Sequence, residues 1–445
     1  MWYSFCFLIH DVKFSRFNII CHGENGKVII CNTLTGAVAV TSKQELNIAR
    51  EILHGSYDNT DTTVNQYVRD LKRGGFVVED SLDEAQRARY LHEQSSYRTD
   101  TLDLTILPTE QCNFRCVYCY ENFRKGEMNS DIIARTKSLV EKRARFLNRL
   151  RVSWFGGEPL LAANVIEELS ETFTAICDKQ EVAYSSGITT NGYLLNEDMF
   201  LKLLRFHTTY FQVTIDGSSE YHDKRRKLVD GSHTFDVILQ NLKTASKVNG
   251  DFEFVIRSNF DRDNVHSIPQ LLAILKEILQ DDTRFSIFFK PISDFGGESI
   301  KDSHQTLFSG KEAQNLLPKL YSEASSMGFK TKATTSLRFD GSVCYAAFAN
   351  SFVIGSDGTL YKCTLDFENQ INKVGYLNEQ GDMKLETNKM FSWVSLSEDN
   401  ACRNCFLLPT CQANSCPLHR IRDKERPCPT NKHVAKRMLS TIQTV

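Results

Sequence analysis

The chain predicts an α/β fold: an incomplete eight-fold barrel of six βα units, with a small α+β module before it and a Cys-rich region after it. Three observations predict this. Strand-like and helix-like segments alternate from Thr101 to about residue 334. The alternation is absent before residue 80 and after residue 335. Ten of the fourteen cysteines, three and seven, crowd into the stretches 112–119 and 344–428. At 445 residues the chain exceeds one ordinary domain and suits two or three.

Charge excludes several classes. Against 55 acidic residues stand 53 basic ones, a formal net charge of −2 that favours neither nucleic acid nor an anionic membrane. The N-terminal stretch Phe5–Ile9 lacks a basic lead-in and is too short to span a bilayer or direct secretion. No run approaches ~18 apolar residues. A cytoplasmic protein without membrane or nucleic-acid partners is expected, and in a reducing compartment disulfides are not the expected use of its cysteines. Cys6, Cys21, Cys31 and Cys177 stand apart and read as small buried hydrophobes.

Residues 1–80 form the first unit. Asn18–Cys21 and Lys27–Ile30 flank Glu24-Asn25-Gly26, a hairpin signal. Ser42 and Glu45 make a capping box for a helix over Lys43–Leu53. A second helix, Thr63–Arg73, stops at Gly74-Gly75, and Phe76–Val78 resumes as a strand. In size and element order the unit resembles a winged-helix module. Residues 81–100 read as a linker, since Leu82–Gln94 is polar and helix-prone with no apolar face.

The barrel strands are expected at Leu102–Leu107, Arg151–Phe155, Val182–Ile188, Thr209–Ile215, Phe252–Ser258 and Phe285–Lys290. Helices are expected near Ile132–Leu147, Val165–Cys177, Glu197–Phe206, Phe235–Val248 and Val265–Leu279. Parallel pairing needs a crossover, which each helix supplies. Residues 101–334 therefore read as a partial TIM-type (β/α)6 barrel, with chemistry on the loops that follow the strands.

The first such loop is Cys112-Asn113-Phe114-Arg115-Cys116-Val117-Tyr118-Cys119, a CxxxCxxC motif. A saturated [4Fe–4S] cubane needs four cysteines, so three leave one iron open to a ligand. A three-Cys zinc site would want a histidine, and His92 alone lies within twenty residues of the triad. Here the sequence resembles the radical S-adenosylmethionine (SAM) superfamily. Gly156-Gly157-Glu158-Pro159 after the second strand is similar to its GGEP loop, Thr190-Asn191-Gly192 to its TNG turn, and Thr214-Ile215-Asp216-Gly217 to its SLDG position. His222-Asp223-Lys224-Arg225-Arg226 follows as its HDxxR segment does. The resemblance implies that Cys112, Cys116 and Cys119 hold a cluster whose open iron binds SAM, and that a 5′-deoxyadenosyl radical abstracts a substrate hydrogen. It implies cofactor contacts from Tyr118, Gly156, Gly157, Glu158, Thr190, Asn191, Thr214 and Arg226. The glycine loop would take the methionine amine and Arg226 the carboxylate.

Residues 335–445 carry Cys344, Cys363, Cys402, Cys405, Cys411, Cys416 and Cys428. Alone, CxxC spacing suits zinc as well as iron. Behind such a barrel the region resembles the SPASM extension, with one departure: four residues rather than three separate Cys411 from Cys416. The resemblance implies two auxiliary [4Fe–4S] clusters, hence a C-terminal Cys-rich iron–sulfur domain and three clusters in all. Cys402, Cys405, Cys411 and Cys428 would hold one, and Cys344, Cys363 and Cys416 the other.

The N-terminal module resembles the leader-recognition element of ribosomal-peptide maturases, which adds a leader strand to a sheet edge. The alternative is a module that packs only for stability. The expected activity is hydrogen abstraction from a ribosomally made precursor peptide, ending in a thioether or carbon–carbon crosslink, with flavodoxin or ferredoxin as electron donor. The sulfatase maturases, which make formylglycine, are the alternative enzyme. They place an aspartate directly after the cysteine matching Cys363, where Thr364 stands here and Asp366 follows two further on as the candidate catalytic residue. A metal-stabilised binding protein without turnover would explain both ends of the chain, but not the triad beside GGEP.

Overall fold

The computed structural model describes residues 12–440 except 24–25, 54–61, 296, 298, 332–343, 396–399, 413–415, 425 and 427. Phe5–Ile9, Cys6, Glu24, Asn25 and the boundary expected near residue 335 lie outside the described residues.

All six expected barrel strands form: Thr101–Thr109, Arg149–Gly156, Ala183–Thr190, Thr208–Thr214, Glu253–Phe260 and Phe285–Pro291. They pair in parallel in chain order. Alternate residues, such as Leu150, Val152 and Trp154, enter the core shared with the helices. The helices Ser130–Ala144 and Glu197–Arg205 start where Asn129 and Asn196 accept the backbone N–H three residues on, at 3.0 and 2.9 Å.

The Cys-rich region continues this sheet. Ser351–Ile354 pairs in parallel with the first barrel strand, Ser351 opposite Asp103 and Ile354 opposite Ile106. Thr359–Tyr361, Lys373–Leu377 and Met383–Leu385 then follow antiparallel. Ser351–Ile354 covers an edge that would otherwise be open. Three apolar residues, Phe352–Ile354, among turn formers are too short a run for sequence reading to separate from a loop.

In the N-terminal module Asn18–His22, Lys27–Asn32 and Val38–Ser42 form an antiparallel sheet. Ser42 and Glu45 make the expected reciprocal hydrogen bonds at 3.1 and 2.7 Å. The central strand is buried on both faces. Val28 and Ile30 pack with Leu46, Leu71 and Phe76, whereas Ile29 and Cys31 face the C-terminal residues Leu407, Ala435 and Leu439.

Within 81–100, Glu84–Ser96 is a helix whose buried face is Glu84, Ala85, Ala88, His92 and Ser96. Small and polar residues make this face, which is why apolar periodicity did not find it. Ala85 and Ala88 admit Phe17 and Leu408 at close range. Glu84 takes hydrogen bonds from Ser15 Oγ at 2.5 Å and Arg16 N at 3.0 Å.

Candidate active site

The loop after the first strand and the segment after the fourth form one piece. Phe114–Cys116 and Arg226–Leu228 make a two-stranded antiparallel ribbon with Cys116 opposite Arg226. Val117 N–H donates to the Arg225 carbonyl at 3.0 Å. Burial pushes the Cys112 thiol up to about 12, with the negative charge of Glu158 adding to it. Cys116 and Cys119 are raised too, again first by burial. Burial raises Cys31 and Cys177 as well, so the shift marks buried thiols and it is the CxxxCxxC spacing that singles out the triad. Among the described residues no three His, Cys, Asp or Glu side chains converge as a single ion requires. A cubane makes no such demand, since its cysteines sit on different irons.

Tyr118 is the hub beside the triad. Its hydroxyl accepts from Arg226 Nη1 at 2.7 Å and from Asn259 Nδ2 at 3.1 Å, and donates to Asp216. Asp216 Oδ1 accepts from Asn259 N at 2.9 Å. The two arginines divide their work. Arg225 pairs with buried Asp261 at 2.8 Å and lies 5.6 Å from the Tyr118 ring centre. Burial opposes the Arg226 charge, but Cys116, Tyr118 and Asp216 outweigh it. Arg226 Nε is buried with no hydrogen-bond partner, a donor left for a ligand.

His222 and Asp223 brace this segment. His222 Nδ1 accepts from Asp216 N at 3.2 Å, and Nε2 lies 3.1 Å from Thr234 Oγ1. Asp223 Oδ1 takes the N–H groups of Thr234 and Phe235 at 2.8 and 3.0 Å, capping the next helix. Thr214 ends the fourth strand opposite Arg257 and is buried.

The glycines of the second loop allow close approach. A Cβ on Gly156, whose φ is +128°, would lie 2.1 Å from the Thr109 carbonyl oxygen. A Cβ on Gly157 would lie 2.4 Å from that of Gln111. Fully buried Glu158 joins the loops: its carboxylate accepts from Leu160 N at 3.0 Å, Thr190 Oγ1 at 2.7 Å and Asn191 N at 2.7 Å. Asn191 Nδ2 donates to Asn113 Oδ1 at 2.8 Å, within the triad loop. The glycines thus let the second loop lie directly on the first, and the buried Arg226 Nε is a donor suited to a carboxylate.

The remaining thiols lie in two groups, the same two that the SPASM resemblance implies. Cys402, Cys405, Cys411 and Cys428 line one cavity, with Lys432 Nζ 3.6 Å from Cys428 Sγ. Cys344 is pushed up to about 12 by burial, then by the charges of Cys363 and Cys416. Buried Asn372 holds the Cys363 turn, accepting from Cys363 N and donating to its carbonyl, both at 2.9 Å. Asp366 is engaged by Asn369 Nδ2 at 3.0 Å and Arg422 Nη1 at 3.4 Å. A cavity lined by Glu110, Tyr120, Lys125, Phe295, Tyr361 and Asp366 lies between the triad loop and this hairpin. Sequence reading missed Asn259 and Asn372. Asn259 stands near the C-terminal end of the fifth strand, a position that marks it. Asn372 carries no such signal.

Comparison with known proteins bears on the family and the fold. The Radical SAM superfamily model matches residues 106–271. The cysteine-type anaerobic sulfatase-maturating enzyme of Clostridium novyi (strain NT) is 25% identical over 368 residues, 75% of this chain and 92% of that protein. The radical SAM cyclopropyl synthase TigE of Paramaledivibacter caminithermalis is 24% identical over 227 residues, 46% of each chain. The solved structure of anSMEcpe with bound AdoMet and the Cp18Cys peptide shares the fold, with a TM-score of 0.59 at 20% identity, covering 76% of this chain and 96% of that one. The chain belongs to the radical SAM superfamily: it is an enzyme of SAM and a [4Fe–4S] cluster, related to SPASM-type peptide-modifying maturases.

Proposed function

We propose that the chain matures a ribosomally made precursor peptide, joining two of its residues by a thioether or a carbon–carbon bond. Cys112, Cys116 and Cys119 would hold the radical SAM cluster. Gly156, Gly157 and Glu158 would receive the amine end of SAM and Arg226 the carboxylate, with Tyr118, Thr190, Asn191 and Thr214 around them. The bound pair supplies the radical that takes a hydrogen atom from the substrate. Two auxiliary [4Fe–4S] clusters would sit on the remaining cysteines, and a flavodoxin or ferredoxin would deliver electrons.

The protein's own part is positioning. Arg226 and Asn259 hold Tyr118 in place, and Glu158 locks the second and third loops together. The observation that carries the reading is the cavity lined by Tyr120 and Lys125, just past the triad, and by Tyr361 and Asp366, which flank Cys363 in the chain. An extended peptide segment fits such a place. Exposed Val38 and Val40, on the edge strand Val38–Ser42, support docking of a leader as a further strand. In this reading residues 1–80 are the recognition module, 81–100 the connection, 101–334 the radical barrel and 335–445 the auxiliary-cluster domain.

Formylglycine formation is the second reading, favoured by the 92% coverage of the Clostridium novyi relative. Thr364 weighs against it: its hydroxyl is tied to Tyr345 at 2.8 Å where that group has an aspartate. Co-expression with short peptides encoded beside the gene, followed by tandem mass spectrometry, separates the two. A crosslink appears as the loss of two hydrogens with the joined fragments inseparable. A hydrazide-reactive aldehyde would instead support formylglycine.

A further inference from the structure

We infer that the distal thiol group Cys402, Cys405, Cys411 and Cys428 is a structural clamp, whose metal holds the N-terminal module in place. This rests on the proposed reading that the quartet binds a cluster.

The two surfaces interleave residue by residue. Among the cysteines, Asn404, Phe406, Leu407, Leu408 and Gln412 contact the module and its connecting helix. Asn404 Oδ1 accepts from Arg16 Nη2 at 2.7 Å. The Phe406 carbonyl accepts from Thr33 Oγ1 at 2.5 Å. Leu407 packs with Ile19, Cys21, Ile29 and Cys31, in a cluster that Cys405 and Cys411 adjoin. Leu408 meets Phe17, Ala85 and Ala88. Gln412 Nε2 donates to the Ala88 carbonyl at 3.0 Å. Leu439, on the short helix Ala435–Ser440, closes the apolar face of the sheet and is fully buried.

The segment cannot hold this shape alone. Its helices, Asn400–Arg403 and Leu408–Cys411, have four residues each, too few to be stable by themselves. What fixes it is the thiol cavity on one side and the module on the other. A metal that binds only the ordered segment stabilises everything seated on it, and by linkage the seated module tightens the metal.

The test uses the full-length, anaerobically reconstituted protein. The Cys402→Ser/Cys405→Ser double variant should lose about four irons per chain. Backbone hydrogen exchange should show protection lost over Lys27–Asn32 and kept over the barrel strand Glu253–Phe260. If iron falls and Lys27–Asn32 stays protected, the clamp is refuted while the ligand assignment stands. If iron does not fall, the ligand assignment fails and the clamp with it. Should the double variant lose barrel protection as well, Leu439→Ala reads the same coupling without touching a cysteine: a chelator should strip about four irons faster than from the parent. Unchanged stripping would refute the clamp.

Discussion

Cys116 and Arg226 stand opposite each other across a two-stranded ribbon, though 110 positions separate them in the chain. That pairing puts a candidate iron ligand and a candidate carboxylate receptor within one rigid unit. Arg226→Ala keeps the ribbon's backbone bonds and removes the guanidinium. SAM affinity should fall by ~1.5–3 kcal/mol, roughly tenfold to over a hundredfold, as expected for a charge-assisted bond. Equilibrium binding to the reconstituted protein measures this, and iron content should not change. Arg225 is paired with Asp261 through Nη2, but its Nε is also buried without a partner, so unchanged SAM affinity in Arg226→Ala would move the carboxylate contact to Arg225.

Gly157→Ala tests the approach of the second loop to the first. The new methyl would meet two backbone carbonyls, 2.4 Å from Gln111 O and 2.9 Å from Glu110 O. Backbone cannot rotate aside as a side chain can, so the Cys112 loop must shift. Overpacking of this kind costs about 1–3 kcal/mol. A lower urea midpoint and reduced iron uptake by the triad are expected, with Gly126→Ala, which meets nothing within 4 Å, as the control.

His92 gives a pH dependence of known sign. Burial in the helix Glu84–Ser96 pushes its imidazole down to about 4 from 6.5. The fold holds the neutral ring, so the unfolded chain binds the proton first as pH falls. The stabilising contribution is complete above about pH 6.5 and lost on the way down to about 4. Between pH 7 and 5 it should diminish by roughly 2 kcal/mol. Urea unfolding of the iron-free protein at the two pH values measures the loss, which His92→Gln should reduce.

The barrel was legible because its strands are long and its helices keep an apolar stripe, Leu271, Leu272, Leu275 and Leu279 for instance. The candidate site could be proposed from sequence because glycines and cysteines at that spacing have few other uses. Less visible was anything built from short or polar pieces. Ser351–Ile354 joins the barrel sheet as four residues, and the alanine face of Glu84–Ser96 looks like a solvated helix until Phe17 and Leu408 are set against it. Cys21 and Cys31 do prove buried, yet only the fold reveals that they face the Cys405–Cys411 segment. Asn372 shows the same limit: an asparagine in a turn is ordinary until its four hydrogen bonds to residues 362–365 are seen.

The central claim is that the triad, and no other thiols, holds the cluster at which SAM is cleaved. Changing Cys112, Cys116 and Cys119 together to Ala tests it most directly, with iron and 5′-deoxyadenosine measured on the same reconstituted sample. The account predicts that about four irons are lost, the remainder stay bound, and 5′-deoxyadenosine formation stops. Continued formation of 5′-deoxyadenosine by the triple variant would contradict it.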